Sequence, residues 1–267
     1  MRLRLAVLAC ALVLAGCGGF TTADEAATVT PAPVPTDGIQ FPPGVTADGV
    51  VPSALASAHA GSLATTDYTI TTQQVVRETD DDEVVRQTTH TRWVAANASH
   101  YRGQYRQNAS QYRAGWSTTA VDYWSNGTIV ATRYENRRGE VTLLRWAAEN
   151  DELLTDLADE QRLEGELAAA EYRVVRRNAD GDVVVEGTRL RDPERLVTPL
   201  FVRDIENLSV RMHVRYDGTV VARRLTYDAV LSSRSVRIVR ETRITEMGET
   251  TVERPSWVAN TTVSRRE

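Results

Sequence analysis

The pattern that most limits the fold is a two-residue alternation interrupted by tight turns. In "SVRMHVRYDGTVVARRLTYDAV", Val210, Met212, Val214 and Tyr216 alternate with Ser209, Arg211, His213 and Arg215. Such alternation puts apolar side chains on one face of a strand and polar ones on the other. The run turns at Asp217-Gly218. Four further turn signals carry β-rich flanks: Asp80-Asp81-Asp82-Glu83, Asn126-Gly127, Asp180-Gly181 and Met247-Gly248-Glu249. Asn-Gly is the strongest two-residue hairpin signal. Five hairpins predict an antiparallel meander with one covered side.

Helical segments interrupt this meander. Pro52–Leu63 suits a short helix, with Pro52 in the first turn and Leu55, His59 and Leu63 on one face. His59 reads there as a helix-face residue, not a ligand. "ENDELLTDLADEQRLEGELAAAEY" is also helical, with Asn150 or Asp151 as cap and Leu153, Leu154 and Leu157 as an apolar stripe. Leu163 and Leu167 continue the stripe in a second helix or beyond a kink. Asp192-Pro193-Glu194-Arg195-Leu196 reads as a third short helix. The expected class is therefore α+β: a large curved antiparallel sheet, a half-barrel, covered by two or three helices.

The first 44 residues follow other rules. Arg2 and Arg4 precede an apolar run of ten residues, Leu5 to Leu14. A helix needs roughly 20 residues to cross a hydrocarbon core, whereas ten suits the h-region of an export signal. Leu14-Ala15-Gly16-Cys17 then resembles a lipobox, the cleavage and lipidation signal of prokaryotic lipoproteins. That resemblance implies a signal peptide over residues 1–16 and a lipid on Cys17. It also implies export and anchoring on the outer face of the cytoplasmic membrane. Residues 17–44 are rich in Pro, Thr, Ala and Gly and read as the lipidated Cys17 plus a tether. Residues 45–267 read as one β-rich domain.

Composition narrows the chemistry. Cys10 is lost with the signal and Cys17 is used by the lipid, so neither a disulfide nor a Cys-based metal site is expected. All 31 basic residues are Arg. Removing Arg2 and Arg4 leaves 29 against 36 Asp and Glu, a formal charge of about −7, which argues against nucleic acid. This Lys-free usage resembles that of extreme halophiles with GC-rich genomes.

No catalytic constellation assembles. His59, His90, His100 and His213 show no metal-ligand spacing, and His90 and His213 read as solvent-facing strand residues. Gly-x-Ser-x-Gly and Gly-x-Gly-x-x-Gly are absent. Asn178-Ala179-Asp180-Gly181-Asp182 looks like a calcium loop, but Gly187 stands where the bidentate Glu belongs. The acidic stretches therefore read as hairpin turns. No metal or cofactor is expected and the chain does not read as an enzyme.

Five Asn-x-Ser/Thr sequons, at Asn97, Asn108, Asn126, Asn207 and Asn260, are candidate glycosylation sites in an exported protein. "HYRGQYRQNASQYRAGW" interleaves Tyr101, Tyr105 and Tyr112 with Arg102, Arg106 and Arg113. Tyr packed and Arg exposed along a strand explains it better than a stacking surface.

The element order, the lipobox and the strand-rich C-terminal half resemble LolA-type lipoprotein carriers and the mycobacterial LppX/LprG lipoproteins. "FPPGVTADGV", "LASAHAGSLATTDYTI" and "YWSNGTIVATRY" look like haloarchaeal surface lipoproteins. The carrier resemblance implies a concavity that holds a lipid or another apolar ligand. The alternative is a structural or interaction lipoprotein of the cell envelope with a filled core.

Overall fold

The computed structural model describes residues 40–110, 117–148, 156–199 and 201–263, the side chains of 262–263 excepted. A two-residue ribbon, β1 (Val45–Thr46) and β2 (Gly49–Val50), leads into α1 (Pro52–Ala64). Six strands follow: β3 (Tyr68–Glu78), β4 (Val84–Val94), β5 (Tyr101–Ala109), β6 (Thr118–Ser125), β7 (Ile129–Asn136) and β8 (Val141–Ala147). After α2 (Glu160–Ala168) come β9 (Ala170–Arg177), β10 (Val183–Leu190), β11 (Val202–Val214), β12 (Val220–Leu231), β13 (Arg234–Thr245) and β14 (Thr262–Val263).

Twelve strands form one open sheet in the order β14-β8-β7-β6-β5-β4-β3-β13-β12-β11-β10-β9. All neighbours are antiparallel except β14, which runs parallel to β8. The expected α+β half-barrel with helices on one face is therefore present. Two meanders make it, β3 to β8 and β9 to β13. They are joined at the β3–β13 seam, where Val236 pairs with Glu78 and Thr245 with Thr69.

That seam corrects one expected hairpin. The turn at Met247-Gly248 exists, with Gly248 at φ 79° and its N–H donating to Asp67 O at 2.9 Å. The chain cannot return beside β13 because β12 and β3 occupy both of its edges. It instead crosses the outer face, where Val252, Trp257 and Val258 pack against Trp124, Ile129 and Ala131. The other four turns join β3–β4, β6–β7, β9–β10 and β11–β12 as expected.

The helices cover the second meander and reach the first, where Leu63 of α1 packs with Tyr68, Ile70, Val94, Tyr101 and Tyr123. Leu55, His59 and Leu63 of α1 are all buried, as their spacing requires. Leu163 and Leu167 of α2 join Leu55 in a core with Val185, Val210, Met212, Leu225, Tyr227 and Ile238. Each such side chain contributes about 1.5–3 kcal/mol on full burial. Gly165 lets α2 approach the short 3-10 turn Pro193–Arg195, because a Cβ there would lie 2.4 Å from Arg195 O. Leu163 and Leu167 lie in a helix that begins at Glu160. Leu157 lies in the turn before α2, and Asn150, Asp151, Leu153 and Leu154 fall outside the described residues. The Asp156 carboxylate supplies the cap, accepting from Glu160 N at 2.5 Å and Gln161 N at 3.1 Å. Tyr216 also departs from its expected face: it follows the end of β11 and is exposed.

Candidate functional site

Cross-strand register lines up three rows of side chains beneath the helices. One row runs Arg223, Thr242, Thr72, His90, Tyr105 from β12 to β5. A second runs Ile244, Ile70, Arg92, Gly103, Tyr123 from β13 to β6. Between β12 and β3, a third holds Leu225, Arg240 and Gln74. Directly opposed residues share a face, so Arg92, Arg223 and Arg240 all point to the side that carries α2.

There they meet two carboxylates. Glu166 of α2, fully buried, accepts from Arg240 Nη1 at 3.0 Å, and its other oxygen lies 3.0 Å from Arg223 Nε. Asp159, at the start of α2, pairs with Arg223 Nη2 and, at 3.1 Å, with Arg92 Nη2. Arg240 also donates to Gln74 Oε1 at 3.0 Å and Val197 O at 2.7 Å. Arg92 Nη1 donates to Asp156 O at 2.8 Å. Burial pushes the Asp159 carboxyl up, but Arg223, Arg92 and Arg162 outweigh it and hold the group far below the usual carboxylate range. Burial alone would lower Arg223, yet Glu166 and Asp159 raise it above an ordinary arginine. Asp159 and Arg223 stay ionised because each faces opposite charge.

Two histidines border the network in neutral form. His59 Nε2 donates to Ala158 O at 3.0 Å while its Nδ1 accepts from Val220 N at 3.1 Å. Burial, followed by the Arg223 charge, lowers His59 to about 4. It thereby ties α1 to the start of α2 and to β12. His90 is half-buried on the inner face, which corrects its reading as a solvent-facing residue. Burial and then Arg92 lower it to about 3. His90 Nε2 shares a 2.8 Å hydrogen bond with Tyr123 Oη. The Tyr123 ring lies directly over Gly103, where a Cβ would come within 1.9 Å of the ring. Glycine inside a strand pattern marks such an approach, and "YRGQY" carries that signal.

Two openings flank residues 156–158. One, of about 280 Å³, is lined by His90, Arg92, Tyr123, Asp156, Asp159 and Arg162. The other, of about 420 Å³, is a more apolar groove lined by Ala60, Leu63, Ala64, Tyr68, Val94 and Leu157. Asp156 and Leu157 line both. The second lies within the roughly 300–1,000 Å³ of small-molecule sites and the first just below it. Both openings take helix residues into their walls, Ala60, Leu63 and Ala64 of α1 in the groove and Arg162 of α2 in the smaller one.

The remaining expected residues are elsewhere. Cys17 lies outside the described residues. Asn97, Asn108, Asn126, Asn207 and Asn260 are all exposed. Asn126 Oδ1 accepts from Thr128 N and Ile129 N, and Asn207 Nδ2 donates to Asp228. His213 is exposed on β11. Tyr101 is buried, Arg102 stacks over Trp93 at 5.2 Å, and exposed Arg106 pairs with Asp122. Tyr105 Oη donates to Gln107 Oε1 and accepts from Arg86. Tyr112, Arg113 and Trp116 lie outside the described residues. Pattern reading missed Arg92, Arg223, Arg240, Asp159 and Glu166. Their signal is a charge in an apolar phase: Arg223 keeps step with Leu225 and Tyr227, and Arg240 with Val236 and Ile238.

The solved structures that this chain resembles include a DUF1329 family protein from Desulfovibrio piger. It shares 9% identity with a TM-score of 0.29, over 77% of this chain and 94% of that one. A LolA superfamily protein from Nitrosomonas europaea shares 8% identity with a TM-score of 0.26, over 76% of this chain and 96% of that one. No family model and no curated protein matches the sequence.

Proposed function

We propose that the protein is a lipid-anchored surface protein of the cytoplasmic membrane that holds one hydrophobic ligand in the groove beside α1. The observation that carries this reading is the groove itself: about 420 Å³, walled by Ala60, Leu63, Ala64, Val94 and Leu157. An apolar wall with few polar groups is the usual make-up of a small-molecule site. Its volume suits a single small ligand or chain rather than a bulky multi-chain lipid. The LAGC lipobox supports anchoring through Cys17, and the Pro- and Thr-rich tether would lift the domain off the bilayer. The haloarchaeal surface-lipoprotein resemblance supports the same compartment, with the exposed sequons as glycan sites.

The ligand reading is tested on a Cys17→Ala chain. Mass spectrometry of its organic extract should find an apolar compound near one equivalent. Ala64→Trp, at the exposed end of α1, should fill the groove and abolish it. An extract without stoichiometric apolar material defeats the ligand reading. The same Cys17→Ala chain should leave the membrane fraction; retention there counts against the anchor. A filled inner face favours the second reading, a structural or interaction lipoprotein. Beneath α1 and α2, the inner face of the second meander carries buried apolar side chains and the ion network.

A further inference from the structure

The charges around the smaller opening do not balance. Arg92, Arg162, Arg223 and Arg240 face Asp159 and Glu166 among the described residues. Asp156 adds a third carboxylate, yet its oxygens cap the backbone N–H groups of α2. One positive charge remains in excess even when Asp156 is counted.

The excess is concentrated at the opening. Arg92 is only 6% exposed, and its Nε has no hydrogen-bond partner among the described residues. Arg162 Nε likewise has none, and its ion pair to Asp159 spans 3.8 Å. Burial lowers Arg162 from the ordinary arginine value, with Asp159 only partly opposing. The neutral His90–Tyr123 pair forms another wall. The two carboxylates at the rim are committed, Asp156 to α2 and Asp159 to Arg92 and Arg223. Desolvated positive charge without a counter-charge is costly. A guanidinium answers that cost best with a carboxylate or phosphate, whose oxygens match its planar donors.

We propose that the cavity lined by His90, Arg92, Tyr123 and Arg162 receives the anionic group, carboxylate or phosphate, of a ligand whose apolar part lies in the neighbouring groove. This rests on the groove reading for the apolar part alone. The two openings meet at Asp156 and Leu157, so one amphiphile would lie across residues 156–158. The site selects for negative charge: a neutral amphiphile leaves the guanidinium excess uncovered.

Calorimetric titration of the Cys17→Ala chain with three probes tests this. Dodecyl phosphate supplies both parts, dodecyl maltoside the chain alone, and inorganic phosphate the anion alone. Dodecyl phosphate should bind at least about tenfold more tightly than dodecyl maltoside, the factor expected of one charge-assisted hydrogen bond. Arg162→Gln, on the partly exposed side of α2, should erase that preference while leaving maltoside binding unchanged. Arg92→Gln should act alike where it folds; Arg162→Gln keeps the test decisive where it does not. Equal affinity for the two dodecyl probes, with no effect of Arg162→Gln, overturns the anion site and leaves the groove reading standing. Binding of inorganic phosphate alone, sensitive to Arg162→Gln, supports a free anion as the source and counts against the groove instead.

Discussion

The two meanders share one sheet and one kind of hairpin, yet their inner faces solve different problems. On β9 to β13, the inward positions are Val185, Val210, Met212, Leu225, Tyr227 and Ile238, sealed by α1 and α2. On β4 to β8, one inward row holds His90, Tyr105, Val121, Tyr134 and Thr142, half-buried or exposed, while Arg92, Gly103 and Tyr123 of the next row are buried. The difference teaches where each meander gets its stability. The covered one rests on apolar packing stitched by buried ions. The other packs Tyr68, Val94, Tyr101 and Tyr123 against Leu63 of α1 inside and has a second apolar seal on the outer face, where the C-terminal segment lies over Trp124 and Ala131.

Removal of a network carboxylate should break the covered meander most severely. Glu166→Ala strands Arg223 and Arg240 in the interior, and chemical denaturation should show a loss of about 3–5 kcal/mol. A loss under about 1 kcal/mol would show that water reaches the network and that the two faces are less distinct. Paired truncations compare the faces directly. Met212→Ala should cost about 2–5 kcal/mol, whereas Leu144→Ala on the half-buried face of β8 should cost about 1–2. Equal losses would erase the contrast.

Acid sharpens the comparison in a narrower way. His59 and His90 are neutral in the fold, at about 4 and about 3, against an ordinary 6.5. Their depressed values mean that the unfolded chain binds protons first. The stability they contribute is complete above pH 6.5 and is lost as pH falls toward 4 and 3. The slope is at most about 1.4 kcal/mol per pH unit for each histidine. His59→Gln and His90→Gln should each flatten the stability profile between pH 6.5 and 4; an unchanged slope refutes the assignment. The smallest effect is expected at a turn on the open meander. Asn126→Ala removes acceptors for Thr128 N and Ile129 N, for about 1 kcal/mol by analogy with helix caps. Stability unchanged within error would show that Gly127, at φ 79°, sets this turn without help.

Much of this architecture was legible in local pattern. The turn signals at Asn126-Gly127, Asp180-Gly181 and Asp217-Gly218 fell where strands reverse, because such turns need residues that tolerate positive φ. The α1 face of Leu55, His59 and Leu63 followed from helical period alone. The site was less legible. Gly103 and the arginines Arg92, Arg223 and Arg240, charges that keep the apolar phase, went unread in the pattern. Their meaning depended on Tyr123, Asp159 and Glu166, which stand 20 to 74 positions away in sequence.

By itself, the sequence determined the class: alternating runs, turn residues and short helices allow little besides a sheet with helices on one side. It also showed that the ten apolar residues before LAGC are too few to span a bilayer. The tertiary structure alone decided that β13 closes on β3, and so ruled out the hairpin expected at Met247-Gly248. It alone turned His90 inward and gathered four arginines around two carboxylates. The physical reason is range. Propensity and period act over a few residues, whereas strand pairing and charge compensation are settled between segments that meet only once the sheet has formed.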